Sequence, residues 1–258
     1  ANISTRAERD GDGWTLHGQK VWTSLAQWSQ WCFVLARTDR DAPKHKGITF
    51  LMVPMDQPGI EIRPIRQVTG TAEFNEVFFD GARATDADVI GGVNQGWGVA
   101  MGLLAFERGA STLGQQLAFR NELDAVVDGL RERGRLDDPV LRQRVVRLHS
   151  ELEIMRWNTL RVLSTTAETP REALITKLYW ASWHRALGEL AVDAAGADAL
   201  LGDPTVGPDA EPGDELTDAQ RLFLFTRSDT IYGGSNQIQR NIIGERGLGL
   251  PREPNPTR

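Results

Sequence analysis

A pair of glycines near the C-terminus lies where a turn leads into a helix, in the segment Tyr232-Gly233-Gly234-Ser235-Asn236-Gln237. Two glycines let the main chain approach a ligand closely, and Ser235 is of a type that caps a helix start. Such a start presents free N–H groups, which favour an anion such as a pyrophosphate. An ordinary turn between two helices has the same local pattern. The chain has neither a Walker A sequence nor G-x-G-x-x-G, so neither a P-loop nor a Rossmann site is indicated.

A single glutamate, Glu107, is the best candidate for proton transfer. It follows three apolar residues at helical spacing, namely Ala100, Leu103 and Leu104. This spacing places it on, or at the edge of, the apolar face of a long helix. A carboxylate there is either paired with a cation such as Arg108 or held with a raised pKa. A boundary glutamate at the rim of the apolar face is the alternative.

An indole followed by two hydroxyl groups ends a predicted strand at Trp22-Thr23-Ser24. This combination suits an isoalloxazine ring, with the indole on its face and the hydroxyls as hydrogen-bond partners. A core tryptophan followed by turn residues is the alternative. Cys32 lies in an apolar strand and is expected to be an unreactive thiol.

The composition excludes several classes of protein. The chain has 258 residues, of which 40% are hydrophobic and 25% charged, so a folded globular protein is expected. The net charge is −6 without a dense Lys/Arg block, which argues against binding nucleic acid or anionic lipid. No apolar run is long enough to span a membrane, and no signal-peptide pattern is present, so a cytoplasmic location is expected. One cysteine and four widely separated histidines predict no disulfide within the chain and no metal site.

The first part of the chain is predicted to consist of strands. The expected set includes a hairpin with its turn at His17-Gly18, followed by Trp31–Ala36, Ile48–Pro54, the alternating segment from Ile60 to Ile65, and Val77–Phe79. Closely spaced strands without helical periodicity between them favour a small antiparallel barrel or sandwich.

After Gly96 the apolar residues recur with helical periodicity. The predicted helices run from about Val99 to Gly129, from Pro139 through Met155, from Pro170 to about Leu201, from Thr217 to about Arg227 and from Asn236 to Arg246. Asp138 before Pro139 is a favourable start signal, and Gly202 to Asp214 is expected to be a solvated loop. The fold class is therefore predicted as α+β, with a β-domain over residues 1–92 and a four-helix-type bundle over residues 93–258.

Taken together, these segments resemble the acyl-CoA dehydrogenase family. The matching stretches follow in order along nearly all of the chain: Gly18 to Ser24, Leu35 to Asp39, Phe74 to Phe79, Gly91 to Trp97 leading to Phe106-Glu107-Arg108, and Ile231 to Ile243. The ending Leu248 to Glu253 is similar to an actinobacterial branch of the family. The resemblance covers the family's middle β-domain and C-terminal helical domain, without its N-terminal helical domain, and so implies a fragment of a longer protein.

The resemblance also implies an activity and its site. Members of the family dehydrogenate an acyl-CoA thioester between Cα and Cβ, with FAD as cofactor and an electron-transfer flavoprotein as a typical acceptor. Many members carry the catalytic glutamate directly after the tyrosine of the glycine turn, where this chain has Gly233; others place it on the long helix before an arginine, which matches Glu107. FAD would then contact six residues, Trp22, Thr23, Ser24, Gly234, Ser235 and Gln237. Substrate would contact Arg108, Tyr232 and Gly233.

Two family motifs that hold FAD across a subunit interface are altered in this chain. An Arg-x-x-Phe-Gly motif is replaced by Arg131 to Leu136, and a glutamine- and glycine-rich motif by Asp193 to Asp198. Three functions therefore stay open. The chain is a catalytic dehydrogenase subunit of a homo-oligomer, a non-catalytic partner in a hetero-oligomer, or an oxygen-using flavoenzyme on the same fold. The length of the acyl chain does not follow from the motifs.

Overall fold

The computed structural model describes residues 2–110, 112–165, 170–203, 205–206, 213 and 215–252, and the side chains of residues 105–110 and 112–113 lie outside this description. Two compact units are formed, Ala1–Ala105 and Phe106–Arg258. The first contains the sheet and the second most of the helices, so the α+β class is confirmed. None of the described helices is both long and apolar enough to cross a membrane.

Seven strands form one sheet in the order β5-β6-β2-β1-β3-β4-β7. Their bounds are β1 Arg6–Asp10, β2 Gly13–Ser24, β3 Trp31–Arg37, β4 Ile48–Pro54, β5 Ile60–Ile65, β6 Phe74–Thr85 and β7 Val89–Ile90. Neighbouring strands are antiparallel except for β1 and β3, which pair in parallel. One face of the sheet encloses a core that includes Trp14, Leu16, Leu51, Val53 and Val77.

The predicted hairpin turn at His17-Gly18 is wrong. β2 continues through both residues and pairs with β6 along its length, and the true turn to β1 lies between Asp10 and Gly13. Gly18 has φ +135°, and a Cβ there would lie 2.8 Å from the Cα of Thr5. The glycine is therefore needed for a close approach of two chain segments and does not reverse the chain.

In the described part of the chain, six α-helices follow the sheet: α1 Gly96–Ala110, α2 Thr112–Glu132, α3 Pro139–Leu163, α4 Thr176–Ala195, α5 Asp218–Asp229 and α6 Asn236–Ile242. The predicted helix from Pro170 is divided, because 3₁₀ turns at Arg171–Ile175 and Gly196–Leu200 flank α4. The last predicted helix is α6 extended by a π turn at Ile243–Gly247. Most of the predicted loop between Gly202 and Asp214 lies outside the described residues.

The starts of α3 and α5 follow from their capping residues. Asp138 accepts from the N–H groups of Val140 and Leu141, with Pro139 in the first turn. Thr217 and Gln220 form a reciprocal capping box at the start of α5. These bonds satisfy N–H groups that have no partner within the helix, so both helices begin where the sequence predicts.

The helical unit is held together by α2, α3 and α4. Their facing surfaces enclose Phe119, Leu123, Leu148, Leu152, Trp183 and Leu187, all of which are buried. α5 approaches α4 closely at Gly188, where a Cβ would lie 2.5 Å from Oγ1 of Thr226. This close packing brings the end of α5 beside the middle of α4, and it positions the glycine turn that follows α5.

Candidate functional site

The residues of the predicted site are divided between the two units. Trp22, Thr23 and Ser24 belong to β2 of the first unit. Tyr232, Gly233, Gly234, Ser235 and Gln237 belong to the turn before α6, and to α6 itself, in the second unit. Glu107 and Arg108 lie within the bounds of α1, but their side chains lie outside the described residues.

Trp22 has an unusual backbone and an exposed side chain. Its φ is +62°, a left-handed value that is sterically unfavourable for a tryptophan, and the residue is 63% exposed. The pairing of β2 with β6 shifts between Lys20 and Thr23, so that β2 carries one extra residue there. This irregularity is a β-bulge, which turns the indole away from the core. Strain of this kind in an exposed aromatic residue is typical of ligand sites.

Thr23 and Ser24 return to regular pairing immediately after the bulge, opposite Asn75 and Phe74. The buried amide of Asn75 donates to the main-chain oxygen of Thr23 at 3.1 Å. Ser24 is exposed. The end of β2 is thus anchored, with the Trp22 indole and the Ser24 hydroxyl accessible to a ligand.

The same unit exposes further large aromatic side chains. Trp28 is 71% exposed, Phe33 52% and Trp31 50%. Soluble monomers bury most rings of this size, so a group of exposed ones indicates a surface that binds something planar or apolar. By contrast, Trp14 is buried and donates its indole N–H to Asp86 at 3.0 Å, which is a structural role.

The glycine turn is shaped by its two glycines and by Gln239. Gly233 and Gly234 have φ of +60° and +97°. The buried amide of Gln239 donates to the oxygen of Gly233 at 3.1 Å, and a Cβ on Gly234 would lie 2.5 Å from that amide nitrogen. Ser235 caps α6 by accepting from the N–H of Ile238 at 3.4 Å, as predicted. Gln237 is exposed on the first turn of α6.

Tyr232, at the start of this turn, belongs to a chain of charged groups that the sequence did not predict. Its hydroxyl donates to Oδ1 of Asp229 at 2.6 Å. Oδ2 of Asp229 lies 2.7 Å from Nδ1 of His184, and Nε2 of His184 lies 2.8 Å from Oε2 of Glu122. Lys177 donates to the main-chain oxygen of Asp229. We call Glu122, His184, Asp229 and Tyr232 the relay; His184 and Asp229 are buried, whereas Glu122 and Tyr232 are partly exposed.

The relay shifts the pKa values of His184 and Tyr232. Burial by itself opposes a charge on His184, but the hydrogen bonds to Asp229 and Glu122 outweigh it and raise the pKa of the imidazole to about 9. Burial and the bond to Asp229 raise the pKa of the Tyr232 hydroxyl. The sequence offers no signal for this cluster, because its members are widely separated along the chain and come from α2, α4, α5 and the turn.

Two arginines bond the segment Asp193 to Asp198, and one of them comes from the other altered segment, Arg131 to Leu136. Arg135 donates to the main-chain oxygens of Asp193 at 2.6 Å and of Ala194 at 3.1 Å. Arg144 donates to the carboxylate of Asp193 at 2.5 Å. The bonds from Arg135 satisfy carbonyl groups at the end of α4. The two altered segments are therefore bonded to each other.

Family models match nearly the whole chain. The model for the acyl-CoA dehydrogenase middle domain matches residues 1–82, and the model for the acyl-CoA dehydrogenase C-terminal domain matches residues 94–248. The chain belongs to the acyl-CoA dehydrogenase family. Acyl-CoA dehydrogenases are FAD-dependent enzymes.

Similar acyl-CoA dehydrogenases include two curated proteins of Mycobacterium tuberculosis. Acyl-CoA dehydrogenase IpdE1 is 54% identical over 255 residues, which is 98% of this chain and 64% of that protein. Acyl-CoA dehydrogenase FadE34 is 37% identical over 98% of this chain and 33% of that protein. The chain thus spans less than two thirds of the length of the curated relatives it matches.

Solved acyl-CoA dehydrogenase structures share the fold. A Tcur3481-Tcur3483 steroid ACAD has a TM-score of 0.80 at 29% identity, covering 98% of this chain and 65% of that one. The ChsE4-ChsE5 complex from Mycobacterium tuberculosis has a TM-score of 0.79 at 27% identity, with the same coverage of 98% and 65%.

Proposed function

We propose that this chain is the flavin- and substrate-binding part of an acyl-CoA dehydrogenase that removes hydrogen from Cα and Cβ of an acyl-CoA thioester. The observation that carries the proposal is Trp22, an exposed indole held at φ +62° by a β-bulge in the strand that matches the family's flavin-contacting segment. Membership of the family supports it.

FAD is the proposed cofactor, and the described residues fit it. Trp22 offers its ring face, and Thr23 and Ser24 offer hydroxyl groups for the polar edge of the isoalloxazine. Gly234, Ser235 and Gln237 are the proposed contacts from the second unit, where the glycine main chain is sterically accessible. Bound FAD supplies the acceptor for the hydride that leaves Cβ.

Glu107 is the proposed base that takes the proton from Cα. The thioester acidifies this carbon, and a carboxylate with a raised pKa is suited to the transfer. Gly233, at the family's commoner position for the base, has no side chain that could do so. Arg108, Tyr232 and Gly233 are proposed to hold the acyl-CoA.

The proposed substrate is a steroid-derived acyl-CoA, and the proposed electron acceptor is an electron-transfer flavoprotein. The substrate class is supported by the description of a 29% identical structure as a steroid ACAD. The protein is further proposed to be cytoplasmic and to act as an oligomer. Sedimentation of the holoprotein tests the oligomer, since a monomer that holds FAD tightly contradicts it.

A non-catalytic partner subunit is the second candidate, and one observation favours it. Arg135 bonds the two altered motif segments to each other, and Arg144 on α3 bonds the carboxylate of Asp193, so these groups are engaged within the chain. The ChsE4-ChsE5 complex shows that similar chains assemble with an unlike chain. In that arrangement the chain would complete the FAD site of its partner.

The flavin content of the full-length gene product separates the candidates. A yellow protein that bleaches anaerobically with a steroid-derived acyl-CoA, and more slowly with a straight-chain one, supports the dehydrogenase. A colourless protein that gains flavin only with an unlike subunit supports the partner role. Bleaching followed by rapid reoxidation in air supports an oxygen-using flavoenzyme and contradicts both.

A further inference from the structure

His184 is enclosed in the helical unit between two carboxylates. Its side chain is only 5% exposed, and both ring nitrogens face an oxygen, Oδ2 of Asp229 at 2.7 Å and Oε2 of Glu122 at 2.8 Å. An ionised carboxylate only accepts hydrogen bonds, so both nitrogens must donate. They do so together only in the imidazolium form. The geometry therefore places a buried positive charge between α2 and α5.

Asp229 depends on that charge. Its side chain is fully buried, and it is the last residue of α5, where the helix dipole disfavours a negative charge. An unpaired carboxylate in such a place would be strongly destabilised or would take up a proton. Lys177 does not replace His184, because its ammonium group bonds the main-chain oxygen of Asp229 and lies over the rings of Trp180 and Tyr232.

The ionised Asp229 in turn holds Tyr232. The hydroxyl of Tyr232 donates to Oδ1 of Asp229 at 2.6 Å, while Oδ2 is used by His184. A bond from a hydroxyl to an ionised carboxylate is stronger than one to a neutral acid. Tyr232 directly precedes Gly233 and Gly234, which have no side chains to anchor them. Main-chain bonds from the N–H of Tyr232 to Ser228 and from the N–H of Asn236 to Thr230 hold the turn. The side chains of Tyr232 on one side and Gln239 on the other add to them.

We propose that His184 is a positioning residue: as the cation between Glu122 and Asp229, it holds Tyr232 and thereby the Gly233–Gly234 turn in the orientation that receives the acyl-CoA. The inference rests on the proposed function for the role of the turn in substrate binding. The positioning itself does not depend on that function. The charge matters more than the shape of the side chain. With an uncharged side chain at position 184, the carboxylate of Asp229 keeps only the attraction of Lys177, whose ammonium group bonds the main-chain oxygen instead.

The titratable groups around His184 come from three helices and the glycine turn. Glu122 lies on α2, Lys177 and His184 on α4, Asp229 on α5, and Tyr232 in the turn. α3 contributes the main-chain oxygen of Leu148, which accepts from the neighbouring Trp183. Loss of the imidazolium proton near pH 9 would leave a ring nitrogen as an acceptor facing a carboxylate, so the turn should loosen as the pH rises through this value.

The first experiment measures the protonation of His184 in the full-length holoprotein. The protein has four histidines, and ¹⁵N-labelled imidazole spectra distinguish the imidazolium from either neutral tautomer. His184 is assigned by the loss of its signal in His184→Gln. It should remain an imidazolium at pH 8, where an ordinary histidine is neutral. A neutral imidazole at pH 7 would overturn the proposal.

The second experiment measures hydrogen exchange of the amides from Ile231 to Ser235 at one pH. His184→Gln should speed their exchange by about tenfold, the effect expected when one hydrogen bond to a charged group is weakened. His149→Gln is the matched control, since His149 is exposed on α3 of the same unit, and it should leave the turn unchanged. Accelerated exchange throughout α2 and α4, without a larger effect at the turn, would mean that His184 only stabilises the core.

If His184→Gln does not fold, two substitutions at more exposed positions, Glu122→Gln and Tyr232→Phe, test the same proposal. Glu122→Gln removes one partner of the imidazole at a position that is 37% exposed, and it should lower the pKa of His184 and loosen the turn. Tyr232→Phe should loosen the turn, and adding His184→Gln should have little further effect, because both act through one bond. Additive effects of the two substitutions would contradict action through Tyr232.

Steady-state kinetics test whether the Gly233–Gly234 turn binds the acyl-CoA. In the active holoenzyme, His184→Gln should raise KM for acyl-CoA several-fold with retained FAD, and the rise should be absent for His149→Gln. An unchanged KM in the presence of a loosened turn would overturn the substrate-positioning role. A full-length protein that never turns over acyl-CoA would instead refute the proposed function. The imidazole spectra and the exchange rates would still show whether His184 positions the Gly233–Gly234 turn.

Discussion

The indole of Trp22 meets the ring of Phe74 edge to face, with centroids 6.1 Å apart and planes at 76°. Phe74 opens β6 directly opposite Ser24, and Trp22 lies in the bulge of β2. The contact fixes the direction of an indole that is otherwise exposed. A ring held in this way can bind a planar ligand without first losing side-chain freedom.

Replacing Trp22 by alanine should weaken FAD binding by about fivefold, since stacking on a ring contributes roughly 1 kcal/mol beyond buried area. Stability should change little, because the indole is exposed. Trp14→Ala should instead lower the free energy of unfolding by about 3 to 5 kcal/mol, since it empties a buried site. FAD titration and thermal unfolding of both variants provide the measurement. Equal losses of FAD affinity in the two folded variants would contradict the assignment.

Replacing Glu107 by glutamine should remove proton abstraction while retaining FAD and acyl-CoA binding, because the two side chains are nearly isosteric. A neutral amide cannot accept the α-proton, and loss of a general base lowers the rate by about 10² to 10⁴. Anaerobic flavin bleaching in single turnover measures the step. If the variant bleaches at the parent rate, the base is another group or comes from another chain.

Glutamate at position 233 tests the alternative place for the base. In the Glu107→Gln background, Gly233→Glu should restore part of the bleaching rate, because the family commonly carries a carboxylate there. The gain should be partial: φ is +60° at this glycine, and a Cβ would lie 3.3 Å from Cε of Lys177. Gly233→Ala is the control for the backbone strain and should restore nothing. Rescue by alanine would exclude a role for the carboxylate.

The His184 imidazolium predicts a loss of stability at alkaline pH. Its pKa is raised from 6.5 to about 9 in the folded chain, so its contribution is fully present below about pH 6.5 and is lost as the pH rises through 9. A shift of this size corresponds to on the order of 3 kcal/mol. Unfolding in denaturant between pH 6 and 10, for the parent and His184→Gln, measures it.

The quantity to compare is the difference in the free energy of unfolding between the parent and His184→Gln. This difference cancels the contribution of Lys20, which titrates in the same pH range. Burial lowers the pKa of Lys20 to about 8, and this group contributes with the opposite sign. The stability difference should shrink as the pH passes 9. A difference that is constant from pH 6 to 10 would show that His184 contributes only packing.

Arg135→Met should lower the free energy of unfolding by about 1 to 2 kcal/mol, because two carbonyl groups at the end of α4 lose their donor. If this surface completes the FAD site of an unlike subunit, the variant should also reduce the flavin content of the co-purified complex. Arg147→Met is the control, since Arg147 is exposed on α3, outside both altered segments, and pairs with Glu151 one turn away. Equal flavin loss in both variants would argue against a specific role for Arg135.

Local chemistry accounts for the parts of the protein that were predicted correctly. Asp138 with Pro139, Thr217 with Gln220, and Ser235 each act through hydrogen bonds within a few residues, and the apolar spacing of α3 follows from the helical period. The family motifs are also contiguous along the chain. The sequence alone therefore determined the α+β class, the family and the starts of α3, α5 and α6. The site roles of Trp22, Glu107 and the glycine turn stay predictions.

Tertiary structure decided the features that depend on residues far apart in the chain. The pairing of β2 with β6 made β2 continuous through Gly18 and exposed Trp22 at a bulge, because strand register is set by the partner strand. Glu122, His184 and Asp229 show no shared spacing and meet only because α2, α4 and α5 pack together. A buried charge is stable only among its partners, so neither the protonation of His184 nor its hold on Tyr232 exists before the helices assemble.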